Sequence, residues 1–391
     1  KNGVKMKREE KRKQLWRTIV LTICFILLPG NVKASEEQDH MTTELTEDLD
    51  FRELDQFVSE QGGITDDFSE TVKNLISDGL GTEMMRKIGT GLLDQLTAEI
   101  VQNKKLLLEV ILLTFGFSVL KNFAGTFQGS YVSKLCFILM YCVLTVLLLQ
   151  SFFTLQGVVQ ITLQKCVEFM KILIPVFCTS MIFSSNTASM MGFYQMAFLI
   201  VYLIEWLFLE LLFPMVHIYV LLEVLAHFLP EEHFSNLTEL LYDGINWGIR
   251  IAGIFVLGLN VVQNLVMTAK DRISHSVITK TAAAIPGVGN TFGGIMELIL
   301  SSGMLVKNCV GVAGLLILVI LCLIPLIKTA CLAFFYKIAA AVTEPVADAR
   351  ICGCLKGMTN GGILYLKLLG YCMLLFFLTI ALTAAASCYI F

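Results

Sequence analysis

The sequence predicts an all-α polytopic membrane protein, a helical bundle of about eight spans that follows an N-terminal signal peptide and a small extracytoplasmic helical domain. Composition is the first reason. The 391 residues are 56% hydrophobic and 16% charged, with a mean hydropathy of +0.74, which is too apolar for a soluble globular protein of this length. Layout is the second reason, because a signal-like segment and an acidic stretch precede a long series of apolar runs. The predicted domains are 1–34, 35–104 and 105–391.

Residues 1–34 have the three parts of a secretory signal. Lys5 to Arg17 is basic, Thr18 to Leu28 is apolar, and Ala34 is a small residue suited to cleavage before Ser35. The apolar run has about 11 residues, whereas a membrane span needs roughly 20. We therefore expect a cleaved signal peptide, with an uncleaved anchor helix as the alternative.

The region 35–104 divides into two parts. Ser35 to Glu60 is strongly acidic, with Arg52 as its one basic residue, and is expected to be poorly ordered alone. From Phe68 to Val101 apolar residues recur at helical spacing, which predicts short amphipathic helices on the outer membrane surface or docked on a partner. The region has no cysteine, and the cysteines after Cys24 lie in or beside apolar segments, so buried free thiols rather than disulfides are expected.

The apolar runs after Lys105 are predicted to cross the membrane, because each can supply a helix about as long as the hydrocarbon core is thick. The predicted spans are Leu106–Ala124, Leu135–Leu155, Met190–Phe213, Met215–Leu229, Ile245–Met267, Cys309–Ile324, Leu326–Ala341 and Ile363–Ile390.

Gly157 to Ile182 is ambiguous. Lys165, Glu168 and Lys171 fall three or four residues apart on one helical face, which favours an amphipathic helix at the interface over a lipid-facing span. The charges of the loops agree with this reading, since short loops rich in Lys and Arg lie on the cytoplasmic side of the membrane. If the segment does not cross, Lys134 and the basic residues 270–280 fall inside and the acidic loop 230–244 falls outside.

Two prolines interrupt the longest apolar runs. Pro214 and Pro325 lie at the centres of Met190–Leu229 and Cys309–Ala341. Proline removes a helix hydrogen bond and clashes with the preceding turn, so each marks either a hairpin turn, as in the spans above, or a kink in one long helix. The kink alternative would invert the predicted side of the C-terminus. The resemblance between the two runs also suggests a weak internal repeat.

Ionisable residues inside apolar sequence are the candidate functional positions, because a charge within the bilayer must pair, reach an interface or line a wet cavity. A second-rank set lies around Pro214 and is interpreted either as a polar path through the bundle or as residues that reach water at hairpin ends. Its members are Glu205, Glu210, His217 and Glu223.

Several other functions find no support in the sequence. The glycines of residues 287–294 do not match a nucleotide-binding spacing, and Cys352-Gly-Cys354 has no histidine partners at metal-binding spacing. We find no catalytic motif and no basic surface typical of nucleic-acid binding. Glycine pairs such as Gly357 and Gly361 more often permit close helix approach or a re-entrant turn. No enzyme activity, cofactor, metal or nucleic acid is expected.

The segment from Gly287 to Arg350 resembles a known family. The resemblance rests on Ser301-Ser-Gly-Met-Leu-Val-Lys-Asn308, Ile324-Pro-Leu-Ile-Lys328 and Glu344-Pro-Val-Ala-Asp-Ala-Arg350, among others. These are similar to the C-terminal signature of stage III sporulation protein AE of endospore-forming Firmicutes. The candidate structural and functional positions in this segment are Lys307, Asn308, Pro325, Lys328, Glu344, Pro345, Asp348 and Arg350.

The resemblance implies a component of the feeding-tube-like secretion complex that joins mother cell and forespore. It implies a mother-cell membrane location facing the forespore, and as partners the other proteins of the stage III sporulation A operon, including an ATPase and ring-forming members, and a forespore membrane protein. The resemblance does not decide whether the chain forms homo-oligomers. Our hypothesis is that Glu344, Asp348 and Arg350 form charge pairs at one membrane face or dock the cytoplasmic machinery. The rivals are a stand-alone secondary transporter and a non-conducting assembly platform.

Overall fold

The computed structural model describes residues 49–60, 67–77, 130–182, 187–228, 235–282, 289–345 and 349–386, together with isolated positions between 42 and 116. The predicted signal peptide and most of the predicted span Leu106–Ala124 lie outside these residues. Every regular element described is helical: α1 Arg52–Glu60, α2 Phe68–Ser77, α3 Ser130–Ser180, α4 Thr187–Glu205, a π-helix Trp206–Leu212, α5 Phe213–Phe228, α6 Ser235–Ala282, α7 Gly289–Thr343 and α8 Ala349–Ala386.

The membrane helices alternate in direction along the chain. Within the described residues, five stretches are long and apolar enough to cross a bilayer, one each in α3, α4 to α5, α6, α7 and α8. The prediction of an all-helical membrane protein is confirmed at this level, and the count of about eight spans is not. The helices are also longer than one bilayer requires, since the 55 residues of α7 extend about 80 Å against a hydrocarbon core of about 30 Å.

Helices α3 and α7 pack antiparallel at the centre of the bundle. The hydroxyl oxygens of Ser151 and Tyr336 are 2.6 Å apart, and 15 residues further along α3 the Sγ atoms of Cys166 and Cys322 are 3.1 Å apart. Both cysteines are fully buried. These two contacts fix the register of the two helices against each other.

This register makes a prediction about thiol oxidation. Diamide treatment of the purified protein should join Cys166 to Cys322, with diamide taking up the two electrons and the two thiol protons. Peptide mass mapping should recover this pair as the main intramolecular disulfide, and Cys166→Ser should abolish it. Recovery of either cysteine joined mainly to Cys178 or Cys309 would show that the register is wrong.

The hairpin turn predicted at Pro214 is wrong, because the chain continues as one helix from Thr187 to Phe228. The π-helix Trp206–Leu212 comes immediately before Phe213 and Pro214. A π-helical turn is wider than an α-helical one, so the proline ring is less crowded against the carbonyls of the preceding turn than it would be in a regular α-helix. The predicted spans Met190–Phe213 and Met215–Leu229 are therefore one element.

The same correction applies at Pro325, which lies inside α7. The Thr329 hydroxyl donates a 2.8 Å hydrogen bond to the Pro325 carbonyl. The carbonyl that loses its partner at this proline is that of Leu321, four residues earlier, so the Thr329 bond does not replace the missing one. Proline is tolerated within transmembrane helices that pack against neighbouring helices. Cys309–Ile324 and Leu326–Ala341 thus form one helix, and the kink alternative describes both prolines better than the hairpin does.

The predicted separate interfacial helix at Gly157–Ile182 is also wrong, since α3 runs without a break from Ser130 to Ser180. Its amphipathic character is real. Glu168 and Lys171 are exposed, whereas Leu163, Cys166 and Phe169 are buried inside the bundle. The apolar face packs on protein, mainly on α7. The amphipathic pattern therefore did not show whether this face contacts lipid or other helices.

The predicted sidedness of two loops changes as a result. The Tyr141 hydroxyl donates to the Val224 carbonyl at 3.2 Å, so the beginning of α3 and the end of α5 lie at the same end of the bundle. Lys134 and the acidic residues Glu239 and Asp243 at the beginning of α6 therefore cannot lie on opposite sides. Because α6 runs away from this end, residues 270–280 remain at the other end from these acidic residues.

The acidic region contains a helix that the composition did not reveal. In α1 the apolar residues Leu54, Phe57 and Val58 are buried, and the Phe57 ring lies 5.7 Å from that of Phe169 in α3. Of the amphipathic helices predicted from Phe68 to Val101, the first is confirmed as α2, which packs on α7, and most of residues 78–101 lie outside the described residues. These short helices dock on the chain's own bundle.

Polar groups order the two short helices against each other. The Asp55 carboxylate of α1 accepts a 2.8 Å hydrogen bond from the Ser69 backbone N–H in the first turn of α2, a favourable position for a negative charge. Just before α1, hydrogen bonds from Arg52 lower the pKa of Asp50 to about 2.

Candidate functional site

One face of α8 carries glycine at every fourth position and lies against α5. A Cβ atom on Gly353 would overlap the imidazole of His227, and one on Gly357 would overlap Cγ of Glu223. Gly361 continues the row. Small residues at this spacing let two membrane helices approach closely. The close approach predicted for Gly357 and Gly361 is confirmed, and it brings two ionisable side chains of α5 against α8.

A polar seam extends from this contact to α6. The rings of Tyr219 in α5 and Tyr242 in α6 are 5.7 Å apart, and the Lys367 ammonium of α8 lies 5.6 Å from the centre of the Tyr242 ring. Lys367 also donates a 2.7 Å hydrogen bond to Oδ1 of Asn246. The Tyr219 hydroxyl faces the Asn360 side chain.

The seam continues toward the end of the bundle that carries the loop between α7 and α8. Tyr141 of α3 lies beside the Cys354 thiol, and both Cys354 and Tyr219 lie within the electrostatic reach of Glu223. From Cys354 to Lys367 the seam follows α8 for about 20 Å. Aromatic, amide and ionisable groups thus line a half-buried surface where α5, α6 and α8 meet.

The α7–α8 loop carries a second group of charges. The carboxylate of Glu344 lies 2.9 Å from the ammonium of Lys356, and both side chains are exposed. Pro345 is in the same turn and is exposed, and Arg350 is half-buried in the first turn of α8, close enough to Tyr141 to act on it electrostatically. Glu344 therefore takes Lys356 as its ion-pair partner rather than Arg350. Asp348 lies outside the described residues.

The other predicted positions of α7 are spread along the helix. Lys307 is fully buried, whereas Asn308, Pro325 and Lys328 are half-buried. Lys307 and Glu344 are about 55 Å apart along α7 at 1.5 Å per residue. The C-terminal positions therefore do not form one cluster: Glu344, Pro345 and Arg350 come together at the loop end, and Lys307 lies in the opposite half of the bundle.

The four second-rank positions also lie apart from one another in the structure. Glu205 forms an ion pair of 2.8 Å with Lys171 of α3, and Glu210 is exposed. His217 is half-buried, with its ring 5.6 Å from that of Phe153. Of the four, Glu223 alone lies beside the seam. Among the described residues no group of three or more His, Cys, Asp or Glu side chains is arranged to hold a metal ion.

Comparison with known proteins identifies the relatives of the chain. The family model for stage III sporulation protein AE matches residues 66–387, which include α2 and every long helix of the bundle. The chain belongs to the stage III sporulation protein AE family. The stage III sporulation protein AE of Bacillus subtilis (strain 168) is 27% identical over 290 residues, covering 74% of this chain and 73% of the relative. No solved structure matches the chain.

Membership of the AE family confirms the resemblance and gives this chain a role in sporulation. Sequence reasoning missed much of the seam of this AE-family chain, namely Tyr219, Tyr242, Asn246, Asn360 and Lys367. A signal was present for Lys367, since it is a charged residue within the predicted span Ile363–Ile390. None indicated its partners, because they lie on other helices.

The Glu344–Lys356 contact makes a prediction for charge exchange. Since both side chains are exposed, Glu344→Lys and Lys356→Glu should leave the melting temperature of the purified protein unchanged. If the pair orders the α7–α8 loop for function, each single reversal lowers the yield of heat-resistant spores and the double exchange restores it. Glu344→Lys with Arg350→Glu is the control, and rescue by that combination in place of the first would contradict the observed pairing.

Proposed function

We propose that this AE-family chain is a membrane-embedded component of the secretion complex that connects mother cell and forespore, needed for late forespore development. The observation that carries the proposal is the family match over residues 66–387. In this proposal the chain lies in the mother-cell membrane facing the forespore and has no catalytic step of its own. It works with other proteins of its operon, among them an ATPase and ring-forming members, and with a forespore membrane partner.

Two features of the fold support a role in a larger assembly. The first is length, because helices of 48 to 55 residues extend well beyond a single hydrocarbon core and provide surface for other proteins. The second is the charged α7–α8 loop, where Glu344, Lys356 and Arg350 gather at the mouth of the polar seam. In this proposal the loop docks the cytoplasmic machinery. The polar seam lines the interior of the conduit at its membrane base.

Co-purification from sporulating cells tests the proposal. Full-length tagged protein, extracted in mild detergent after engulfment, should bring down the operon partners. Glu344→Ala with Arg350→Ala should reduce their recovery while the amount of tagged protein in the membrane stays the same. The control is Glu168→Ala with Lys165→Ala, which alters two polar side chains of α3 far from the loop. Equal recovery in all three samples would contradict docking at the α7–α8 loop.

A stand-alone secondary transporter is the second candidate, favoured by ionisable groups between helices, in particular Lys367 and Glu223. Reconstitution of the purified chain in liposomes separates the two functions. Solute flux without partners would support the transporter, and flux that appears only with co-purified partners would support the channel component. An assembly platform predicts that Glu205, Glu210 and Lys328 can be changed without loss of transfer while the complex still forms.

A further inference from the structure

Two opposite charges lie exposed near the middle of apolar membrane stretches. Glu210 is near the middle of Met191–His227, and Arg250 is near the middle of Asn236–Gln263. Both side chains are exposed. Within the described part of the chain, neither side chain has a hydrogen bond or an ion pair.

Charges in such positions require a partner, because hydrocarbon offers nothing that pairs with a carboxylate or a guanidinium. Glu205 meets this requirement within the chain through its 2.8 Å ion pair with Lys171. Glu210 and Arg250 do not. Since an exposed side chain at mid-span faces either lipid or another protein, a second protein is the partner that pairs these charges.

Glu210 points away from α6. It lies in the π-helix, two residues after Phe208 and two residues before Leu212, and both of those side chains are buried. Leu212 faces α6, since a Cβ atom on Gly248 would lie 2.9 Å from its Cδ2 atom. Residues two apart in a helix point to roughly opposite sides, so Glu210 lies on the surface remote from this contact.

Arg250 lies on another side of the bundle. It is three residues before Gly253 on α6, and a Cβ atom on Gly253 would lie 3.7 Å from the Tyr371 ring of α8. Residues three apart share a helix face, so Arg250 lies on the side of α6 that is next to α8. The π-helix packs on the other flank of α6, and a single copy therefore does not bring Glu210 and Arg250 together.

The two charges nevertheless lie at the same depth. Helix α5 with its preceding π-helix and helix α6 are antiparallel neighbours joined by a short loop, and the contact between Leu212 and Gly248 sets their register. Glu210 and Arg250 are each two residues, or about 3 Å, further from that loop than the contact. Copies of the chain that share one orientation in a membrane can therefore place the two charges side by side.

We propose that Glu210 of one copy pairs with Arg250 of the next copy in a head-to-tail homo-oligomer. Arginine and carboxylate groups form two parallel hydrogen bonds, which suits a pair shielded from water. Trp206 is 52% exposed beside Glu210, and Trp247 is 68% exposed beside Arg250. Tryptophan and arginine are concentrated among the residues that contribute most to protein interfaces. Repetition of a head-to-tail contact about an axis normal to the membrane gives a ring.

Energy transfer between labelled copies tests the pairing in the full-length protein. Copies that carry a donor or an acceptor fluorophore are reconstituted together in liposomes, and the protein-to-lipid ratio at half-maximal transfer measures their association. Glu210→Arg alone and Arg250→Glu alone place like charges at every contact. Each should raise that ratio at least about 30-fold.

A mixture of the two single variants is the decisive sample. Donor-labelled Glu210→Arg copies and acceptor-labelled Arg250→Glu copies restore an opposite-charge pair at each alternating contact, so transfer should return to the wild-type range. An ion pair within one copy would give no such recovery. Recovery also shows that both variants fold.

Two further variants complete the test. Lys337→Glu reverses an exposed charge of α7 and should leave transfer unchanged. Glu210→Gln keeps the side-chain volume and should weaken association through the loss of charge. The proposal is overturned by absence of transfer in the wild type, by wild-type association in either Glu210 variant, by failure of the mixture to recover, or by a loss in Lys337→Glu in place of Arg250→Glu.

Discussion

Gly361→Ala is expected to destabilise the protein by about 1 to 3 kcal/mol and to lower its melting temperature, although alanine is the better helix former. A Cβ atom at this position would overlap Cγ2 of Val220 and lie 3.2 Å from Cε2 of Phe152. Val220 is fully buried and Phe152 is 1% exposed, so neither side chain has space to move into. The contact between α5 and α8 must therefore widen, which also separates Glu223 from Cys354 in the seam.

Gly370→Ala is the matched control on the same helix. The nearest side-chain atom to its Cβ, Cδ2 of Leu326, is 4.0 Å away, which is an ordinary contact. Without a clash, replacing a helical glycine by alanine stabilises by about 0.5 to 1 kcal/mol. The two substitutions should shift the thermal unfolding of the purified protein in opposite directions. Equal shifts would mean that α5 and α8 do not approach as closely as the structure has them.

The sequence predicted the class of fold well, because composition and apolar run length depend only on the solvent that the helices face. It predicted the long helices poorly where proline was involved. The energetic cost of proline depends on what precedes it and what surrounds it, and for Pro214 the preceding turn is π-helical. No pattern in the sequence indicates that turn. The same limit applies to α1, where an acidic composition concealed three apolar residues that are buried, one of which, Phe57, packs on Phe169 of the bundle.

The candidate site was predictable only for residues that are unusual in their own segment. Glu223 attracts attention because it is a charge in an apolar run, and the structure places it beside the seam. Tyr242 and Asn246 are ordinary residues in a polar stretch, and they gain importance only from Lys367 on another helix. Family membership adds the sporulation role, which no residue pattern physically implies.

Asn246→Leu is expected to cost about 1 to 3 kcal/mol, because it removes the acceptor that lies 2.7 Å from the half-buried Lys367 ammonium. Leucine fills a similar volume, so packing alone does not predict this loss. Lys367→Met should destabilise by a similar amount. The double variant should cost less than the sum of the two single changes, with a coupling of about 1 kcal/mol or more, since the two apolar replacements together leave neither partner of the bond unpaired.

The neighbouring contact between Asn260 and Thr379 gives the comparison that decides what the seam contributes. It joins the same two helices by a 3.1 Å hydrogen bond between uncharged, buried groups. Neutral interhelical bonds in membranes are worth about 0.6 kcal/mol on average, so Asn260→Leu with Thr379→Val should show the weaker coupling. If both pairs couple equally in chemical unfolding, the charge on Lys367 adds nothing to the association of α6 and α8. A larger coupling for Asn246 and Lys367, with a matching loss of heat-resistant spores in Asn246→Leu, would tie the polar seam to the sporulation role.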